Sequence, residues 1–114
     1  MPWPGRTEET PVTPRIALIM GNAAYSSGIG TLANPINDAR VVADGIRNCG
    51  FQLVSGDIVR DADRSSMMSA IRDYVSLLQA AGPDALGFFY YSGHGAARET
   101  GGNYLIPVEE ADML

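Results

Sequence analysis

The sequence contains no lysine; all eight of its basic residues are arginine. That absence excludes Schiff-base lysine chemistry and a Walker-type phosphate-binding lysine within these residues. There is one cysteine, Cys49, so no internal disulfide can form. A reducing compartment is therefore compatible with the chain, and a cytoplasmic location is favoured over a secreted or periplasmic one. There is one histidine, His94, so any imidazole chemistry falls on that residue. No apolar run approaches the roughly 18 residues of a membrane span, and the N-terminus lacks a signal-peptide core. No basic patch stands out, and the net charge is −5. Both features argue against nucleic acid and against an anionic membrane surface as partners. The same charge suits a basic partner or substrate, through steering more than through chemistry.

What the 114 residues do contain is a core in outline, with 46% hydrophobic residues. Residues 1–14 read as a flexible tail, because four of the seven prolines (Pro2, Pro4, Pro11 and Pro14) sit there among Thr and Glu. Residues 15–114 read as one domain or part of one. Arg15–Met20 is a continuous apolar run of the kind covered on both faces of a sheet. The polar, glycine-rich stretch from Gly21 to Ala33 is long for a strand-to-helix loop, whose median is about 4–6 residues. Asn34 and Pro35 suit a helix start. Ile36, Ala39, Ala43, Ile46 and Cys49 recur at helical spacing, which places Cys49 on the core side of the helix end. Phe51–Ser55 reads as a second strand and Asp57–Arg64 as a charged connection. A second helix is predicted from about Ser65 to Ala81, with Met67, Met68, Ile71, Val75 and Leu78 on one face and Gly82-Pro83 as its stop. Ala85–Tyr91 reads as a third buried strand, Tyr104–Ile106 as a short one, and Glu109 as the start of another helix.

This alternation predicts a mostly parallel α/β sheet with helices on both faces, a three-layer αβα arrangement. Right-handed crossovers permit the strand order 2-1-3. A crevice then opens at the carboxyl ends of strands 1 and 3, where the loop after Met20 meets the turn Ser92–Gly95. His94 lies in that turn between two glycines, which let the backbone bend and a ligand approach. An imidazole there can act as a general base near neutral pH, and the Gly95 amide can stabilise an oxyanion. The plainer reading is a turn histidine satisfied by a backbone carbonyl.

The run Phe88-Phe89-Tyr90-Tyr91-Ser92-Gly93-His94-Gly95 strongly resembles the strand and catalytic-histidine turn of caspases and metacaspases. Ile16–Tyr25 resembles their first strand and its loop, Leu32–Arg40 the start of their first helix, Cys49-Gly50-Phe51 the helix-to-strand joint, and Asn103–Pro107 the segment after the histidine loop. The likeness covers about residues 15–110 and is closest to the bacterial, metacaspase-side members. It implies a cysteine endopeptidase in which His94 is the base of a Cys–His dyad and Gly95 gives an oxyanion-hole amide. It also implies that Asp38 lies at the base of the S1 pocket and selects Arg or Lys at P1. The family nucleophile follows the histidine by roughly 50 residues, near position 144. The expected partners are therefore a peptide or protein substrate and a C-terminal segment carrying that cysteine, and the 114 residues alone are expected to be inactive.

Asp38 has a second explanation, since an acidic residue in a first helical turn is favoured by the helix dipole. Some metacaspases bind calcium through carboxylates, one of them just before the segment matching Tyr104–Pro107. Here that stretch is Gly101-Gly102-Asn103, without an acid, so no cofactor is expected. Asp57, Asp61 and Asp63 read as a solvated loop. Cys49 reads as a buried structural thiol rather than a nucleophile. Gly28-Ile29-Gly30 lacks the spacing of a dinucleotide fingerprint, and Ser92 lacks a nucleophile elbow. Two rival readings remain: a non-catalytic caspase-like module used for binding or regulation, and an unrelated flavodoxin-like domain with phosphate at the loop after Met20.

Overall fold

The computed structural model describes residues 13–23, 35–93, 95–97, 103–105 and 107–108. The tail up to position 12, the helix cap Asn34, the Gly28-Ile29-Gly30 stretch, His94 and the acidic residues Glu109, Glu110 and Asp112 lie outside the described residues. The elements are β1 (Arg15–Gly21), α1 (Pro35–Asn48), β2 (Gln52–Leu53), β3 (Val59–Arg60), α2 (Arg64–Ala81), β4 (Leu86–Ser92), β5 (Gly95–Ala97) and β6 (Asn103–Leu105).

β1 is the centre of a parallel sheet. β4 pairs along one of its edges, from Arg15↔Leu86 to Gly21↔Ser92. β2 and β3 share its other edge, at Ile16↔Gln52 and Met20↔Val59. This is the expected 2-1-3 order, with the middle segment of chain split into two short strands. The split has a local cause. After Leu53 the backbone makes one 3-10 turn, Val54–Gly56, in which Ser55 (φ 64°) and Gly56 (φ 82°) both take left-handed conformations. The chain swings away and rejoins β1 at Val59. A single strand over Phe51–Ser55 is therefore corrected to Gln52–Leu53, and the segment read as a charged connection contains β3.

Side-chain alternation along β1 sorts the core into two layers, as period-two geometry requires. Ala17 and Ile19 pack with Ala39 and Ala43 of α1, together with Leu53 and Ile58. Ile16, Leu18 and Met20 pack with Met67 and Ala70 of α2, together with Val54 and Ala62. The apolar run of β1 is thus covered on both faces, and Leu18, Ile19 and Met20 are almost wholly shielded from water. Burial of side chains of this size stabilises by about 1.5–3 kcal/mol each. The helices lie one on each face, which gives the three-layer α/β architecture.

Each helix is closed by recognisable chemistry. Asp63 caps α2, its Oδ1 accepting from the Ser66 N–H at 2.8 Å. Gly82, with φ 98°, ends that helix and its N–H donates to the Leu78 carbonyl. In α1, Asp38 in the first turn and Arg47 in the last complement the helix dipole.

Two further expectations are corrected. β4 is an edge strand: Leu86 is 50% exposed and Phe89 44% exposed, where a fully buried strand was predicted. No described strand pairs with its far edge. On α2, Val75 is exposed, and the inward position is taken by Tyr74, which packs on the core with Ile71 and Leu78. Tyr90 and Tyr91 do alternate faces, one joining the α1 layer and the other the α2 layer. The contact between β4 and the chain ahead of β1 extends to Pro14, whose carbonyl accepts from the Leu86 N–H.

Candidate active site

The parallel register of β1 and β4 brings Gly21 and Ser92 side by side at the carboxyl edge of the sheet. One residue on, the Asn22 N–H donates to the Ser92 carbonyl at 2.8 Å, extending the ladder past the strand end. Asn22 is completely buried. Its Oδ1 accepts from the Ala62 N–H at 2.9 Å, and its Nδ2 donates to Met67 Sδ at 3.5 Å. A buried amide needs such partners, because an unbonded polar group in a core is strongly unfavourable.

The turn between β3 and α2 closes the same edge. The Asp61 N–H donates to the Gly21 carbonyl at 2.9 Å, and Asp61 Oδ1 accepts from the Ala23 N–H at 2.8 Å. The Ala62 carbonyl accepts from the Val108 N–H at 3.0 Å. Residues 61–62 therefore tie together the end of β1 and the return from the β5–β6 hairpin, which is antiparallel with Gly95 opposite Leu105. Asn22 links that turn to the end of β4.

The start of α1 belongs to this edge as well. A Cβ placed on Gly21 would stand 2.8 Å from the Pro35 carbonyl oxygen, so only glycine lets the helix start come so close to the strand end. Asp38 lies in that first turn with an exposed side chain. Of the three residues singled out from the sequence, Asp38 and Gly95 thus flank the end of β1 and β4, on α1 and β5. His94, between Gly93 and Gly95, lies outside the described residues.

Cys49 is corrected. It is exposed, not on the core side of its helix. The Cys49 carbonyl accepts from Nη1 of Arg15, the first residue of β1, which puts Cys49 at the amino edge of the sheet. The carboxyl edge is six residues away along β1, about 20 Å. Position, rather than burial, separates this thiol from the carboxyl edge.

The three aspartates after the second strand are held in separate structural tasks. Asp57 lies against Arg47 at 3.4 Å and Arg60 at 3.7 Å. The hydrogen bond from the Ile58 N–H, helped by Arg47, holds its carboxyl below the usual range. The Ser66 backbone N–H does the same for Asp63. Asp61 braces Ala23. Among the described residues no group of three or more His, Cys, Asp or Glu could hold a metal ion. An open groove of about 450 Å³ runs along the N-terminal half of α2, lined by serines 55, 65, 66 and 69 with Asp73. It shares no residue with the carboxyl-edge set.

Asn22 and Asp61 are the residues of this edge that sequence reading left without a role. The signal for Asn22 was an amide directly after an apolar strand and a glycine, where a polar side chain has only backbone groups to satisfy it. Asp61 stood among other acidic residues and carried no distinguishing mark.

The chain matches the model of the peptidase C14 family, the caspase domain, over residues 14–114. It belongs to the caspase domain family, and the mostly parallel sheet with a helix on each face is consistent with a caspase-like α/β fold. The family relationship makes this a caspase-like cysteine peptidase chain by class. No curated protein matches the sequence. No helix among the described residues is long and apolar enough to cross a membrane.

Proposed function

We propose that these residues supply the histidine half of a cysteine endopeptidase site, with His94 as general base, the Gly95 amide as an oxyanion donor, and Asp38 as the selector of Arg or Lys at P1. The observation that carries this reading is the convergence of Gly21–Asn22, Ser92–Gly93, Gly95 and the first turn of α1 on one edge of the sheet.

The chemistry needs a thiol that Cys49 does not supply from the amino edge. We infer that the nucleophile comes from a segment outside these 114 residues. In the completed site the imidazole takes the thiol proton, and the thiolate attacks the scissile carbonyl. The tetrahedral oxyanion is held by backbone N–H groups. The imidazolium then returns the proton to the leaving amine, and water releases the acyl group by the same route. Asp38 has no ion-pair partner among the described residues, which suits a carboxylate kept for a guanidinium or ammonium of the substrate.

The test is peptide hydrolysis by the protein joined to its thiol-bearing segment, on substrates differing only in Arg or Asp at P1. His94→Ala should lower kcat by about 10²–10⁴-fold or more. Asp38→Ala should lower kcat/KM for the Arg substrate selectively, and equal loss on both substrates would remove Asp38 from the pocket. A non-catalytic binding module would show no turnover with either substrate.

A further inference from the structure

We propose that Asn22 is a positioning residue that sets the orientation of the Ser92–Gly93 turn, and through it the imidazole two residues beyond Ser92. The catalytic meaning of this role rests on the peptidase reading above.

Asn22 is the one fully buried polar side chain among the described residues. It sits at the point where β1 stops having a regular neighbour. Its main chain holds β4, through the Ser92 carbonyl at 2.8 Å. Its side chain holds the turn before α2, through the Ala62 N–H at 2.9 Å, and reaches Met67 Sδ. The two halves of the residue therefore tether two separate segments to one α-carbon: the side-chain bond to Ala62 holds that α-carbon at the turn before α2, and the main-chain N–H beside it holds Ser92.

The link from Ser92 to His94 is Gly93. Glycine has wide conformational freedom, so the strand register alone does not fix the direction of the chain beyond Ser92. Among the described residues, the bond to the Ser92 carbonyl is the last main-chain hydrogen bond from β1 to β4 before Gly93. The turn that anchors Asn22 is itself held twice more, by the Asp61 N–H to the Gly21 carbonyl and by the Val108 N–H to the Ala62 carbonyl. The anchor is thus rigid relative to both the sheet and the segment returning from β6. Asparagine suits the position because its amide both accepts from Ala62 and donates to sulfur. Aspartate would place a charge in a dry site, and alanine would leave the Ala62 N–H without its partner.

The chain has a single histidine, so its imidazole Hε1 resonance is unambiguous in an NMR pH titration and requires no turnover. Asn22→Ala should change the midpoint of that titration and broaden the resonance. Leu53→Ala, which opens the α1 layer opposite Ala17 in the amino half of β1, should lower the melting temperature without moving the titration. In the unsubstituted protein the Asn22 amide should exchange with solvent as slowly as the amides of β1. An unchanged titration in folded Asn22→Ala overturns the proposal, as does an Asn22 amide that exchanges at solvent rates. If Asn22→Ala does not fold, the exchange measurement alone decides. An altered titration with no peptidase activity in the completed protein would instead retain the positioning role and overturn the catalytic reading.

Discussion

Gly21 and Pro35 are in backbone contact: a Cβ on Gly21 would lie 2.8 Å from the Pro35 carbonyl oxygen and 3.2 Å from the Ala39 Cβ. The first turn of α1 is seated directly against the end of β1. That contact is what carries Asp38 to the carboxyl edge.

Gly21→Ala should therefore be costly. The obstructing atoms are main-chain atoms that cannot rotate aside, so the helix start must move, at about 1–3 kcal/mol for an overpacked core position. Gly87→Ala is the useful contrast. Its Cβ would meet the Tyr74 hydroxyl at 2.7 Å and the Leu78 methyls at 3.0–3.2 Å, all ends of side chains that can shift. Thermal melts of the two variants should show the larger loss for Gly21→Ala, and the reverse order would contradict the close seating of α1.

Asp63→Ala should lower the melting temperature at neutral pH by a few degrees, since it removes the cap of α2. The folded-state carboxyl is held below its ordinary range, chiefly by the Ser66 N–H. Its contribution is therefore present above the ordinary carboxylate range and is lost as pH falls through the folded-state value. Melts recorded from pH 7 downward should show the difference between variant and parent closing below about pH 4. A constant difference would mean the cap acts without its charge.

Cys49 should react with a thiol reagent in the native protein as fast as an exposed model thiol, because it is free and exposed. Cys49→Ser should change stability by no more than about 0.5 kcal/mol. It should also leave peptide hydrolysis by the completed protein intact. Protection of the thiol until unfolding would restore the buried reading.

β4 presents exposed Leu86 and Phe89 on a seven-residue strand whose far edge is unpaired among the described residues. Long apolar edge strands invite intermolecular pairing. Phe89→Lys should lower the association of the isolated chain in sedimentation velocity, with the circular dichroism spectrum unchanged. Equal association of variant and parent would show that this edge is already covered.

The long elements were legible in the sequence because periodicity speaks for them directly. Arg15–Met20 read as a continuous apolar run, and both helices had apolar stripes and recognisable ends. The family resemblance, carried by the run from Phe88 to Gly95, was legible too. What escaped was set by tertiary contact. β3 and β5 are two and three residues long, and nothing local distinguishes Val59–Arg60 or Gly95–Ala97 from loop. The break at Ser55 depends on a left-handed residue that is not glycine. Val75 and Tyr74 are adjacent on α2, and which of them faces inward is decided by Gly87 and Phe89 opposite. The apolar composition of β4 indicated burial on both faces, but composition does not reveal whether a neighbouring strand is present. At the carboxyl edge, Asp38 and Gly95 had been singled out by resemblance. Asn22 and Asp61 matter through bonds to main-chain groups 40 and 38 positions away, which no local pattern encodes.

The most direct measurement is steady-state hydrolysis of a P1-arginine peptide by the protein joined to its thiol-bearing segment, with and without His94→Ala. A loss of kcat of at least about 10²-fold, with KM little changed and the fold retained, is the predicted result. Full turnover in the absence of that imidazole would contradict the account.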